Sequence, residues 1–260
     1  MYRIQDILDR LMPAESIEQT VDGLVIGRPD EEVRGIAVTF MATQAAIEQA
    51  VSLGANLLIS HEGVFYSHRS DGNTLKEDPV VWHKKHRLEE LGLAVLRYHD
   101  GIHRETPDGI TSGLIEELGW QDAVCEYQPA SAVLELQAAT LGEVARLLKV
   151  KLNLPYVRFT GDPLMLCRKV GVLVGYRGGG ELAIPLLREV DLIIAGEGPE
   201  WETPEYVRDA VYQGKSKAII FLGHGPSETP GMKRLARVLR VAFPSLPVHV
   251  IENEPLFHWI

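Results

Sequence analysis

Short apolar runs that stop abruptly on polar residues recur in this sequence, and they leave little choice of fold. Leu57-Leu58-Ile59 follows Gly54 and ends on Ser60-His61-Glu62-Gly63. Such a run is too short for a buried helix, so it reads as a strand of a parallel sheet covered on both faces. Leu93-Ala94-Val95-Leu96-Arg97-Tyr98 repeats the pattern and ends on His99-Asp100-Gly101-Ile102-His103-Arg104. Ala218-Ile219-Ile220-Phe221-Leu222 repeats it again before Gly223-His224-Gly225-Pro226-Ser227-Glu228. Open α/β sheets place their sites at the carboxyl edge of the strands, so these polar clusters are where chemistry is expected.

The segments between the runs supply the rest of an α/β chain. Ile4, Ile7, Leu8 and Leu11 have helical spacing, and Pro13 stops that helix. Val21 to Ile26 and Ile36, Val38 and Phe40 read as strands; Thr43 caps a helix that runs through Leu53 to Gly54. Tyr66 to Asp78 has no periodicity and reads as a loop above the strand edge. Asp78-Pro79 opens a helix ending near Gly92, whose His83 and His86 read as part of a solvated face beside Lys84, Lys85 and Arg87. A helix from Asp108 to Leu118 closes the first half, and Gln128-Pro129-Ala130-Ser131 is the candidate linker. Strands at Val133–Leu136, Val170–Val174 and Asp191–Ala195 alternate with a helix opened by the capping box Thr140-Leu141-Gly142-Glu143 and another from Thr203 to about Gln213. A last amphipathic helix starts at Thr229-Pro230.

With 36 acidic against 26 basic residues the formal net charge is −10, which argues against binding nucleic acid or an anionic membrane surface. The start of the chain lacks the apolar core of a secretory signal, and no stretch approaches the roughly 18 apolar residues of a membrane span. Cys125 and Cys167 lie far apart, outside any C-x-x-C pattern, so reduced core thiols in a cytoplasmic protein are expected.

His61 offers an imidazole nitrogen and Glu62 a carboxylate oxygen, both ligands for zinc, iron or manganese. Three potential ligands lie within five residues at His99, Asp100 and His103, although Asp100-Gly101 also suits a plain polar turn. Gly225 and Pro226 suggest that His224 and Glu228 are spaced by a loop, and Ser227-Glu228-Thr229 alone reads as helix-capping chemistry. Gly175-Tyr176-Arg177-Gly178-Gly179-Gly180-Glu181 can present backbone amides to an anion, or it is simply a tight crossover.

The order of these clusters resembles the NIF-three-like family of dinuclear-metal hexameric proteins, the type 2 GTP cyclohydrolase I-like proteins, in its short form without an inserted domain. Asp22-Gly23-Leu24-Val25-Ile26-Gly27 looks like that family's early Asn-Val-Gly-Leu segment. Leu58 to Tyr66 is similar to its strand ending in two histidines, Tyr98 to His103 to its His-Thr-Asn-Leu-Asp, and Gly196-Glu197 to its Thr-Gly-Glu turn. Gly223-His224-x-x-Ser227-Glu228 stands where the family has Gly-His-x-x-Thr-Glu.

The resemblance implies two interleaved α/β domains with a metal site at strand carboxyl edges in the cleft between them. The first would span residues 1–128, completed by 226–260, and the second 129–225. His61 and His224 would hold one divalent ion, Glu228 would bridge to the second, and Glu62 and His103 would complete a pair of zinc, iron or manganese ions. Glu62 stands where the family has histidine and His103 where it has aspartate, an exchange that leaves total ligand charge unchanged. The implied activity is a metal-dependent hydrolase, with hydroxide attacking a nucleotide such as GTP or a related heterocycle. In that reading Glu197 or His99 moves protons, and Arg104, Arg177 and the backbone around Gly179 hold phosphates. A homo-oligomer, expected to be a hexamer, is implied too. The alternative from another class is a metal-containing hexameric scaffold that binds a nucleotide or a protein without turnover.

Overall fold

The computed structural model describes residues 1–12, 19–69, 75 and 77–258. The chain divides into two compact units, Met1–Glu105 with Met232–Ile260, and Thr106–Gly231. The boundary expected after residue 128 falls instead in the turn between β5 (Val124–Gln128) and β6 (Ser131–Thr140), a hairpin wholly inside the second unit. The candidate linker is that hairpin's turn.

The first unit is built on a five-stranded sheet in the order β1-β4-β3-β2-β11. Its strands are β1 (Gly23–Ile26), β2 (Ile36–Thr39), β3 (Leu57–Ser60), β4 (Ala94–Arg97) and β11 (Val248–Ile251). All pairs are parallel except β1 with β4. Every residue of β2, β3 and β4 is buried, as the uninterrupted apolar runs require of strands covered on both faces. Helix α1 (Ile4–Leu11) buries Ile4, Ile7 and Leu11; Pro13, expected to stop it, lies outside the described residues, as does much of the expected loop from Tyr66 to Asp78. Thr43 caps α2 (Gln44–Ser52) by accepting the Ala46 amide. Asp78 caps α3 (Pro79–Leu91), and Gly92 ends it in the left-handed conformation that glycine adopts without strain.

His83 and His86 do lie on α3, but Lys84 between them is buried rather than solvated. Its ammonium donates to the Val64 carbonyl at 2.5 Å and lies 4.8 Å from the centroid of the Tyr66 ring. Burial pushes the Lys84 pKa down to about 8. An amine whose pKa is lowered on folding penalises the native state fully below the folded value, and the penalty disappears as pH rises toward the unfolded value near 10.4. Wild-type stability relative to Lys84→Met is therefore expected to rise by about 3 kcal/mol between roughly pH 8 and pH 10.5. Urea unfolding of both proteins across that range checks it, and a difference that stays flat contradicts the assignment.

The second unit carries a six-stranded mixed sheet in the order β5-β6-β8-β9-β10-β7. In it β8 (Leu166–Leu173), β9 (Leu192–Ala195) and β10 (Ala218–Phe221) run parallel, flanked by antiparallel β6 and β7 (Arg158–Thr160). The capping box at Thr140 and Glu143 forms and opens α6 (Leu141–Lys151). Helices α4 (Asp100–His103), α5 (Gly109–Leu118), α7 (Gly180–Leu187), α8 (Thr203–Tyr212) and α9 (His224–Ala242) complete the set. Among the described residues no helix is long and apolar enough to cross a membrane. Cys167 is a core thiol, its pKa raised by burial to about 11, whereas Cys125 is exposed on the edge strand β5, contrary to expectation.

Candidate metal centre

In the first unit the polar cluster forms because β3 and β4 are neighbours in parallel register and end at the same edge. His61 follows β3 and is fully buried. Its Nδ1 lies 3.2 Å from the Tyr98 carbonyl oxygen, which can only accept, so Nδ1 carries the proton and Nε2 the lone pair. His99 follows β4, and its Nδ1 lies 2.9 Å from Asp100 Oδ1, which imposes the same tautomer. Burial, with the neighbouring His61 adding to it against the pull of Asp100, holds the His99 pKa down to about 4. His99 is therefore neutral at physiological pH, as a metal ligand must be.

His103 is one turn further along α4, so it projects on the same side as His99. The His61 and His99 rings stack at 4.5 Å, and His103 meets them edge-on at 5.1 and 5.0 Å. One nitrogen from each of the three imidazoles lies within 4.8 Å of the others. Three nitrogens so gathered, with two of the rings orientated by oxygen acceptors, fit a zinc, iron or manganese ion.

The short helix α4, where the sequence offered a cluster of ligands or a polar turn, is held by a residue whose role the sequence did not reveal. Asp22, at the start of the antiparallel strand β1, accepts from the amides of His99 at 2.6 Å, Asp100 at 2.9 Å and Gly101 at 2.7 Å. These are the orphan donors of a helix start, capped here from another strand rather than from the preceding residue. Gly101 must lack a side chain, since a Cβ there would stand 2.4 Å from Tyr98 Cε2. Asp100 is fixed in turn, its Oδ2 accepting from Thr20 Oγ1 at 3.1 Å and the Val21 amide at 3.2 Å.

Glu62 is turned partly away from this trio. Its Oε2 lies 3.3 Å from Arg97 Nη2, while Oε1 stands 3.8 Å from His99 Nε2. Arg97, the last residue of β4, also donates from Nε to the His61 carbonyl at 3.4 Å and from Nη1 to the His68 carbonyl. Its burial lowers the guanidinium pKa, an effect opposed by Glu62, Asp22 and Asp100.

In the second unit His224 and Glu228 lie side by side. They are not spaced by a loop: α9 begins at His224, placing them four apart on one helical face with His224 Nε2 3.2 Å from Glu228 Oε2. Pro226 is tolerated because first-turn amides have no intrahelical partner. Glu197 Oε1 lies 2.8 Å from His224 Nδ1. With Nδ1–H donating there, two acceptor atoms face each other at Nε2 and Glu228, an arrangement reconciled by a cation between them, either a proton or a metal ion. Gly175, at φ +62°, leaves the room: a Cβ would stand 2.2 Å from Glu228 Oε1.

Two of the three positions expected to bind phosphate are engaged otherwise. Arg177 Nη1 donates to Asp108 Oδ2 at 2.8 Å and to the Ala130 carbonyl at 3.3 Å. Gly179 is the N-cap of α7, and the Gly180 amide donates to Glu202 Oε2 at 2.6 Å, so the anion at this helix start is the chain's own carboxylate. Arg104 lies exposed at the end of α4.

The family model described as Duf34/NIF3 (NGG1p interacting factor 3) matches residues 1–255. The chain is similar to proteins named GTP cyclohydrolase 1 type 2 homolog from Chlamydia trachomatis, 27% identical over 117 residues and 45% of each chain, and from Clostridium perfringens, 22% identical over 89% of this chain and 87% of the relative. A third with that name, from Neisseria meningitidis serogroup B, is 28% identical over 86% of each. A hypothetical protein of Staphylococcus aureus has the same fold, with a TM-score of 0.77, 19% identity and 99% of both chains covered. A Bacillus cereus protein related to NIF3 superposes with a TM-score of 0.75 at 16% identity, covering 99% of this chain and 98% of the other.

Proposed function

Since this chain belongs to the Duf34/NIF3 family, we propose that it is a metal-dependent hydrolase of the type 2 GTP cyclohydrolase I kind, acting on a nucleotide or a related heterocycle. The observation that carries the reading is the gathering of His61, His99 and His103 with ligand atoms within 4.8 Å, two of the rings set by oxygen acceptors on Nδ1. The relatives' shared name supports the substrate class.

A divalent ion held there supplies Lewis acidity and lowers the pKa of water toward neutrality. The chain's own part is to hold and orient. Asp22 sets the position of α4, Asp100 keeps the proton on His99 Nδ1, and the Tyr98 carbonyl keeps the proton on His61 Nδ1. Glu197 performs the same service for His224, as an orienting carboxylate. The reading extends to assembly as a homo-oligomer, with a hexamer expected.

Incubation of the metal-loaded protein with GTP, following release of formate or the opened purine ring, tests it. Turnover is expected to vanish on chelation and return when zinc, iron or manganese is restored. Metal-loaded protein that turns over neither GTP nor any other nucleotide would replace this reading with a non-catalytic scaffold.

A further inference from the structure

A cluster beside the imidazole trio has the makings of a second metal subsite: Glu62, His68 and His99 offer ligand atoms within 4.8 Å of one another. What lies at its centre is Arg97. Nη2 of this guanidinium stands 3.3 Å from Glu62 Oε2 and 3.1 Å from His68 Nδ1, while those two acceptors are 3.9 Å apart. The carboxylate and the imidazole lone pair that would ligate an ion thus converge on one nitrogen of the arginine. Its side chain is only 5% exposed and is anchored by the carbonyls of His61 and His68.

We propose that the Arg97 guanidinium is a built-in cation standing where a divalent ion would draw on Glu62 Oε2 and His68, so that His68 is not a metal ligand in this protein and Glu62 keeps only Oε1 for that role. Arginine keeps its charge at all accessible pH values, and its planar array of donors bridges a carboxylate and a ring nitrogen. A divalent ion entering the same space would meet like charge at close range and would have to displace a buried guanidinium from four partners. His103 joins the trio, and Glu62 neutralises Arg97. This inference rests on the trio being a metal site.

The test is metal content per chain, by elemental analysis of full-length protein loaded with zinc or manganese and dialysed, for wild type, His68→Ala, Arg97→Met and Arg97→Lys. His68→Ala is expected to hold as many ions as wild type. Arg97→Met is expected to gain one ion per chain, and Arg97→Lys, which keeps the charge, none. Loss of an ion in His68→Ala overturns the proposal even if the arginine variants do not fold, as does a folded Arg97→Met with wild-type content. Wild type holding no metal at all would instead defeat the metal-centre reading itself.

Discussion

Replacing His61 by alanine is expected to abolish metal binding at the imidazole trio, with affinity falling by more than about 100-fold and turnover lost in proportion. Removal of an outer partner of a ligating histidine already costs roughly 10–100-fold in metal affinity, and in the proposed centre His61 would be a ligand itself. Its ring is stacked on His99 and edge-on to His103. The His61 ring is fully buried, so the variant also leaves a cavity. Circular dichroism and urea unfolding of the metal-free proteins separate that effect from lost ligation: a variant that folds and still binds metal with wild-type affinity would remove His61 from the centre.

Loss of the Asp22 carboxylate is expected to be nearly as damaging, although Asp22 touches no ligand atom. Its two oxygens take three consecutive amides at the start of α4, and charge-assisted bonds of this kind are the strong ones. Asp22→Ala should destabilise the protein by about 2–4 kcal/mol, more than an ordinary cap because three donors lose their acceptor. Because α4 carries His99 and His103, metal affinity should fall by roughly 10–100-fold. Asp22→Asn, which can still accept on one oxygen, should recover part of both losses. Denaturant unfolding and competition against a chelator read the two effects separately. Unchanged metal affinity in Asp22→Ala would show that α4 holds its histidines without this cap.

Much of this arrangement was legible because apolar patterning and helix punctuation are local. The runs ending at Ser60, Arg97 and Phe221 are strands, and Thr43, Asp78, Asp108 and Thr140 each cap the helix assigned to them. What escaped was decided by pairing. β5 is largely exposed and β7 has only three residues, so neither has a buried face to betray it; both are strands because an edge was open to them. β11 lies far from β2 in the chain, and its place follows from tertiary structure.

Within the candidate centre the same division holds. His61, His99 and His103 could be found as polar residues just past strand ends. Asp22 could not, because β1 runs antiparallel and its first residues, rather than its last, reach the site edge. His68 came from a stretch with no periodicity, and Arg97 looked like the polar end of a strand. The helical start at His224 was hidden by Gly225 and Pro226, two residues that normally signal a loop but that a first helical turn accommodates.

The central claim is that the imidazole trio holds a catalytic metal, and elemental analysis of protein purified without added metal or a chelating tag tests it most directly. At least one zinc, iron or manganese ion per chain is predicted, lost in His61→Ala. Protein that carries none and takes up none when these ions are supplied would contradict the account.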